Sequence, residues 1–250
     1  MPSFNAHACL NLVNLSPAAV TSQDKKAWLN LFARRAIVED PVGSRPHTHD
    51  KGNPQGPLAR FYDTFIHGNK IIFNVERDFV QDGMVLRDLS MTIVMSKKVQ
   101  VVVPMHLLYE LTEQDGELKI QRLAAHWELV PMSRQLMRFG LASLGASIKN
   151  AIKMLRHLGI GGMLGFMQAR QSIGEAGKEI LKQYIASGMV EGVPSSAHIT
   201  KQLSAGFVSS ASIEFEQAGA RVAAVVLGNF DRNSGVLLGT RTVIGEASTD

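Results

Sequence analysis

The chain has a single cysteine, Cys9, among its 250 residues. One thiol excludes an internal disulfide framework and a zinc site built from several cysteines, and it suits a reducing compartment. No run reaches the roughly 18 unbroken apolar residues that a membrane-spanning helix needs. The N-terminus lacks a basic segment followed by an apolar run and a cleavage site, so we expect no signal peptide and a cytoplasmic location.

Charge is also low, because charged residues make up 19% of the chain and the formal net charge is +4. This balance gives no indication of a nucleic-acid partner. The apolar share of 45% is typical of a globular protein with a sizeable core. Acidic residues are absent between Glu128 and Glu175, and six basic residues lie in that stretch: Arg134, Arg138, Lys149, Lys153, Arg156 and Arg170.

The first half of the chain is predicted to form helices and then strands. Residues 8 to 15 are either a short helix or an extended arm that stops before Pro17. Helical spacing then recurs twice, in a helix through Trp28, Leu31 and Phe32 that leads into residues 38–43, and in a second one over 58–66. Four strands are predicted after Lys70, over residues 71–75, 84–95, 99–111 and 118–129.

The second half repeats this order. Residues 131–190 return to helical spacing, with a break at Gly159 to Gly162 and a further helix from about Met167 to Ser187. Three strands are predicted at the end, over residues 208–216, 221–228 and 236–244. We therefore expect an α+β fold with three parts: a first domain over 1–130, a helical, locally basic segment over 131–190, and a β-rich region over 191–250 that is a candidate for a degenerate second half.

A turn at Val38 to Gly43 is the most informative stretch. It joins a β-prone pair to two acids and then to Pro41, which ends regular strand pairing. The turn should therefore hold a carboxylate in a fixed place. Asp40 is either a base on the floor of an apolar pocket or an acid that braces the turn.

The polar loop over residues 43–57 contains His47, His49 and Asp50. His-x-His-Asp binds a metal only where the fold adds a further ligand, and otherwise it is a solvated loop. We expect neither a metal nor another cofactor.

Three stretches resemble the ketosteroid isomerase branch of the NTF2-like (SnoaL-like) superfamily. They are residues 28–43 with their Glu-Asp-Pro-Val-Gly turn, Gly56-Pro-Leu-Ala-Arg-Phe-Tyr, and Val101-Val-Val-Pro-Met-His. The resemblance covers residues 20–130 and implies a cone of helices against a curved antiparallel sheet. It also implies an enzyme that moves a double bond into conjugation with a ketone of a steroid or similar polycyclic lipid, and a homodimer formed through the open face of the sheet.

The resemblance assigns the base to Asp40, which carries one proton between two carbons while hydrogen-bond donors hold the dienolate oxygen. Enzymes of this family use an aspartate base and two hydrogen-bond donors for this reaction. His106 lies at or near the place of the family's donor aspartate, or else it is a core histidine. The family's donor tyrosine has no counterpart on the first helix, where Asn14 or Ser16 lies near its place. Tyr62 matches a tyrosine on the third helix and is a candidate ligand contact.

Large side chains are the candidate pocket lining. His126 and Trp127 are adjacent on one strand, so at most one of them points into the pocket. The predicted lining is Trp28, Phe32, Phe61, Phe65, Met105 and Trp127.

Two functional classes fit this sequence. One is an isomerase or related proton-transfer enzyme, with Asp40 as base and His106 and Tyr62 as donors. The other is a non-catalytic module that binds a small hydrophobic ligand or takes part in assembly. The basic segment 131–170 is either an amphipathic helix packed on the first domain or a peripheral surface that lies on anionic lipid and helps an apolar substrate to enter.

Overall fold

The computed structural model describes residues 4–50 and 52–246. Its order of helices and strands is that of an α+β fold, as predicted. The helices are α1 (Ala6–Thr21), α2 (Lys25–Asn30), α3 (Pro57–Phe61), α4 (Leu129–Arg138), α5 (Leu141–Met167) and α6 (Gly174–Ala186), with a π-helical turn at Tyr62–Ile66 and a 3-10 turn at Gln168–Arg170. The strands are β1 (Phe32–Glu39), β2 (His47–Thr48), β3 (Lys70–Gln81), β4 (Met84–Ser96), β5 (Val99–Gln114), β6 (Glu117–His126), β7 (His198–Ala205), β8 (Val208–Gln217), β9 (Ala220–Phe230) and β10 (Leu237–Glu246).

The first sheet has six strands in the order β2-β1-β6-β5-β4-β3. Its strands pair antiparallel except for β1 and β6, which are parallel. Helices α1 to α3 cover one face, where Val13, Trp28 and Phe61 share a core with Val103 and Met105 of β5. The four strands predicted after Lys70 are confirmed.

Two local predictions are wrong. Phe32 was predicted to be helical, but α2 ends at Asn30 and Phe32 begins strand β1, because pairing with β2 and β6 on either side outweighs the helical spacing. The predicted stop before Pro17 is also absent. Helix α1 runs on to Thr21, since Ala19 and Val20 are buried against the core and this packing outweighs the local cost of a proline.

The second sheet is antiparallel in the order β10-β9-β8-β7. One face packs on the outer face of the first sheet, where Phe79, Leu86 and Leu108 meet Val225 and Leu227. Helix α6 covers its other face and shares the core cluster there. The three predicted strands are confirmed. Strand β7 was missed because its polar run of Thr200 to Gln202 lacks an apolar alternation.

The second sheet occupies part of the face through which the family resemblance implied pairing of two copies. The occupied part contains His106, which lies against β8. Exposed residues such as Ile72 and Val102 lie on β3 and β5. Part of the expected open face is therefore covered by the second sheet of the same chain.

The segment between the two sheets is mostly helical, as predicted, but the last helix begins at Gly174 rather than near Met167, where α5 ends. Gly159 has a φ of 68° and a non-helical ψ, so α5 consists of two helical parts joined by a kink at the predicted break. Phe166 stacks on Phe65 with ring centroids 5.2 Å apart, and the Gly165 carbonyl accepts a hydrogen bond of 3.0 Å from Arg45 N–H. These contacts hold the end of α5 over the first domain.

The turn that carries Asp40 contacts the second sheet in two ways: Val42 packs in a core cluster with Ala205 and Val225, and the backbone of Gly43 lies against that of Gly206. A Cβ built on Gly43 would lie 2.6 Å from the Cα of Gly206, in the turn between β7 and β8. Gly43 also has a φ of 93°, which favours glycine. A side chain at this position would push the Asp40 turn away from the second sheet.

We predict that Gly43→Ala lowers the free energy of unfolding by about 1–3 kcal/mol more than Gly52→Ala does, since only the former creates an overpacked contact. Gly52 is a matched control because its φ is 100° and no atom lies within 4 Å of a Cβ built there. Urea unfolding followed by circular dichroism measures both values. Equal losses in the two variants would contradict the close backbone contact.

Candidate active site in an apolar cavity

A cavity of about 820 Å³ lies between the helical layer and the inner face of the first sheet. Five of the six predicted lining residues surround it: Trp28, Phe61, Phe65, Met105 and Trp127. The sixth, Phe32, lies behind the wall and packs edge-on against Trp28 with ring centroids 4.7 Å apart. Residues of α4 and α5 complete the lining, and most of them are apolar.

Asp40 lines this cavity, and Trp127 holds it in place. The indole Nε1–H of Trp127 donates a hydrogen bond of 2.6 Å to Asp40 Oδ1. Both residues follow the ends of β1 and β6, which run parallel with Glu39 opposite Ala124. Since parallel strands end at the same edge of a sheet, the two side chains are brought together by this pairing.

The surroundings of Asp40 change its acidity. Burial in the cavity raises the pKa of the carboxyl group from 3.8 to about 6, and the hydrogen bond from Trp127 opposes part of this rise. The carboxylate is therefore ionised at neutral pH but is a much stronger base than a solvated aspartate. A positioned group with a pKa close to neutral is suited to general base catalysis.

Tyr109 is a second polar group of the cavity, and the sequence-based prediction missed it. Met105, Leu107 and Tyr109 follow the two-residue period of β5 and all line the cavity. Burial raises the pKa of the Tyr109 hydroxyl to about 12, and the charge of Asp40 also raises it, whereas Arg87 and the Ser16 hydroxyl lower it. A neutral phenol can donate a hydrogen bond to an oxygen atom.

His106 lies on the opposite face of β5. Its Nδ1 and Nε2 atoms are each 2.7 Å from a serine hydroxyl of β8, on Ser210 and Ser212. Burial lowers the pKa of the imidazole well below its usual value, so the ring is neutral. His106 does not line the cavity. The structure therefore does not bring His106 and Asp40 together in one site, in contrast to the prediction. The one-residue offset from Met105 is the reason, because neighbouring residues of a strand face opposite sides.

The same alternation separates His126 from Trp127. Trp127 lines the cavity, whereas His126 is buried and its Nδ1 is 3.2 Å from the backbone oxygen of His106. The expectation that at most one of the pair points inward agrees with this arrangement.

Tyr62 is buried behind the cavity wall, where its ring lies 5.5 Å from that of Trp28. It does not line the cavity, and its hydroxyl has no hydrogen-bond partner among the residues that the structure describes. Burial raises the pKa of this phenol, and Asp24 and Asp63 raise it further. The position of Tyr62 gives it no direct contact with a ligand in the cavity.

Of the two residues near the place of the family's donor tyrosine, Ser16 lines the cavity and accepts a hydrogen bond of 3.2 Å from Trp28 Nε1–H. Asn14 instead accepts one of 2.6 Å from Arg87 Nη2. Of these two residues, Ser16 is thus the one that belongs to the site.

The histidine loop contributes a short strand and an aromatic contact to the first domain. His47 belongs to β2, and its ring lies 5.0 Å from that of Phe61. Burial and the nearby charges of Arg60 and Arg45 lower the pKa of His47 to about 4. Within residues 4–50 and 52–246, no group of three or more His, Cys, Asp or Glu side chains is placed to hold a metal ion.

Comparison with known proteins gives matches among solved structures. Neither a protein-family profile nor a curated protein sequence matches the chain. A Mycobacterium tuberculosis protein in complex with estradiol-17beta-hemisuccinate is 20% identical, covers 50% of this chain and 96% of its own, and has a TM-score of 0.43. The Delta 5-3-ketosteroid isomerase from Mycobacterium sp. is 25% identical, with coverages of 49% and 95% and a TM-score of 0.41.

A third structure is a putative SnoaL-like polyketide cyclase from Shewanella putrefaciens, which is 18% identical, with coverages of 55% and 98% and a TM-score of 0.44. Each of these three alignments covers about half of this chain and nearly all of the other one. The remaining half of the chain lies outside these alignments.

We predict that Trp127→Phe raises the pKa of Asp40 above about 6, because the indole hydrogen bond that favours the ionised carboxylate is removed while an aromatic ring is kept. Carbon-13 NMR of the labelled Asp40 carboxyl group, recorded as a function of pH, measures the shift. Trp28→Phe is the matched control, since Trp28 also lines the cavity but donates to Ser16. A pKa that is the same in all three proteins would count against the assigned hydrogen bond.

Proposed function

We propose that the chain catalyses an intramolecular proton transfer that moves a carbon–carbon double bond into conjugation with a ketone of a steroid or similar polycyclic lipid. One observation carries the proposal: Asp40, with a raised pKa and a fixed orientation, is the only acid among the described residues that line the cavity. An apolar cavity of about 820 Å³ suits a rigid hydrophobic ligand of this size class.

The chemistry needs one base that acts twice. Asp40 removes a proton from the carbon between the alkene and the carbonyl group, and the electron pair of the broken C–H bond shifts to give a dienolate. The protonated Asp40 then returns the same proton to the far carbon of the former double bond. No atom is gained or lost, and the carboxylate is regenerated.

Tyr109 supports the dienolate oxygen in this scheme. Its phenol stays protonated and neutral at neutral pH, and it is close enough to Asp40 for the carboxylate charge to raise its pKa. A hydrogen bond from a preorganised donor is worth more in an apolar cavity than in water. Tyr109 therefore takes the part that the family resemblance gave to His106.

A non-catalytic role in binding hydrophobic ligands is the second candidate. The observation that favours it is the orientation of His106, which leaves the cavity with fewer oxyanion donors than the family resemblance implied. A binding module needs the apolar lining but does not need an ionised Asp40.

Turnover of a β,γ-unsaturated ketosteroid, followed by absorbance at the enone band, tests the proposal. We expect Asp40→Asn to lower kcat by about 10²–10⁴-fold, since the general base is lost. We expect Tyr109→Phe to lower kcat by about 10²–10³-fold, since one oxyanion donor is lost. Tyr62→Phe is the matched control and should leave kcat unchanged, because its hydroxyl lies outside the cavity.

Absence of turnover by the wild type, or equal turnover by wild type and Asp40→Asn, would contradict the catalytic proposal. In that case, a rise in melting temperature on addition of the ketosteroid would support the binding role.

We also predict that kcat/KM rises with pH through about 6 and is level at higher pH. The folded protein holds the pKa of Asp40 at about 6, so the base is protonated and inactive below this pH and ionised above it. Initial rates at low substrate concentration between acidic and neutral pH measure the profile. A profile that stays flat across this range would exclude Asp40 as the ionising base.

A further inference from the structure

We propose that the outer surface of α4 and α5 binds the surface of a membrane that contains anionic lipid, and that the cavity opens onto this surface. We call it the α4–α5 face. Its members are exposed residues of the two helices: Val130, Arg134, Met137 and Arg138 on α4, and Ile148, Ile152, Leu155, Arg156, Ile160 and Leu164 on α5.

The α4–α5 face exposes several large apolar side chains to solvent. Ile148, Ile152 and Leu155 are exposed at the i, i+4 and i+7 positions of the first part of α5. Beyond the kink, Ile160 and Leu164 are exposed as well, with Ile160 65% exposed. Contiguous exposed apolar residues mark an interaction surface, because leaving them in water carries a cost in free energy.

The α4–α5 face is positively charged, which favours an anionic partner. The whole stretch between Glu128 and Glu175 lacks acidic residues. Arg134 and Arg138 are exposed beside Met137, and Arg156 directly follows Leu155. Basic side chains that flank an apolar helical stripe are the pattern of a helix that lies in the interface of an anionic bilayer.

The cavity reaches the surface at the α4–α5 face. Among the described residues that line the cavity, the exposed ones all lie on α4, α5 or the short turn after α5. Met137, which is 70% exposed, and Leu164 belong both to the lining and to the α4–α5 face. An apolar ligand dissolved in a bilayer would therefore enter the cavity without crossing water.

The helices lie on the bilayer rather than cross it. No helix in the part of the chain that the structure describes is long and apolar enough to span a membrane. A second copy of the chain is a poorer partner, because a two-fold contact through this face would bring two acid-free basic segments together and would cover the cavity opening.

Flotation with vesicles tests the inference on the full chain without any substrate, so its outcome does not depend on the proposed catalysis. The two probes are vesicles of phosphatidylcholine alone and vesicles of phosphatidylcholine mixed with phosphatidylglycerol. We expect binding to the mixed vesicles, weakened by added salt, because the electrostatic attraction is screened.

Two pairs of variants separate the apolar and the basic contributions. Leu155→Glu should lower the partition coefficient on mixed vesicles by about tenfold or more, since an apolar anchor is replaced by a negative charge that the anionic lipid repels. Its control is Leu238→Glu on β10, which is 68% exposed and outside the face. Arg138→Gln should lower partition by about fivefold, and Arg35→Gln, on the exposed side of β1, should leave it unchanged. Circular dichroism checks that each variant is folded.

Two kinds of result would overturn the inference. One is equal partition of the wild type and Leu155→Glu on mixed vesicles, or no binding to them at all. The other is a lipid-free dimer, seen by light scattering, that becomes a monomer in Leu155→Glu and not in Leu238→Glu. The second result would assign the α4–α5 face to contact between copies of the chain.

Discussion

The hydrogen bond from Trp127 to Asp40 is the interaction on which the site depends. A carboxylate in an apolar cavity is costly to ionise, and this bond offsets part of the cost while it fixes the orientation of the group. The bond exists because β1 and β6 run parallel and end side by side. The backbone contact between Gly43 and Gly206 then holds the same turn against the second sheet. The position of the base is thus determined by both sheets.

Strand β5 divides the first domain into two chemical environments. Its inward residues, such as Met105 and Tyr109, line the cavity, whereas His106 faces the second sheet and contacts two serines. Ser212 also donates to Asp88, and Lys201 forms an ion pair with the same carboxylate. These buried polar groups form hydrogen bonds and an ion pair with one another between the sheets. These interactions offset the cost of removing the groups from water. The face of the sheet through which the family resemblance implied pairing of two copies is therefore used in part for joining the two halves of the chain.

Periodicity predicted most of the helices and strands because each pattern reflects which face of an element is buried. The four strands after Lys70, the break at Gly159 and the last three strands were found in this way. Periodicity failed for segments whose secondary structure depends on pairing with strands that are distant in sequence. Phe32 is a strand residue because β2 and β6 pair with its strand, and β7 forms beside β8 although its own pattern is polar. Tyr109 was open to prediction, since it shares the two-residue period of Met105.

The amino-acid sequence alone determined the α+β class, the turn that carries Asp40, most of the aromatic lining and the acid-free helical segment. These features depend on residue type and local spacing. The tertiary structure decided which side of β5 faces the cavity, that Tyr109 rather than His106 accompanies Asp40, and where the cavity opens. The physical reason is that a one-residue change of register reverses the facing of a strand, and only the packing of both sheets and α5 selects between the two.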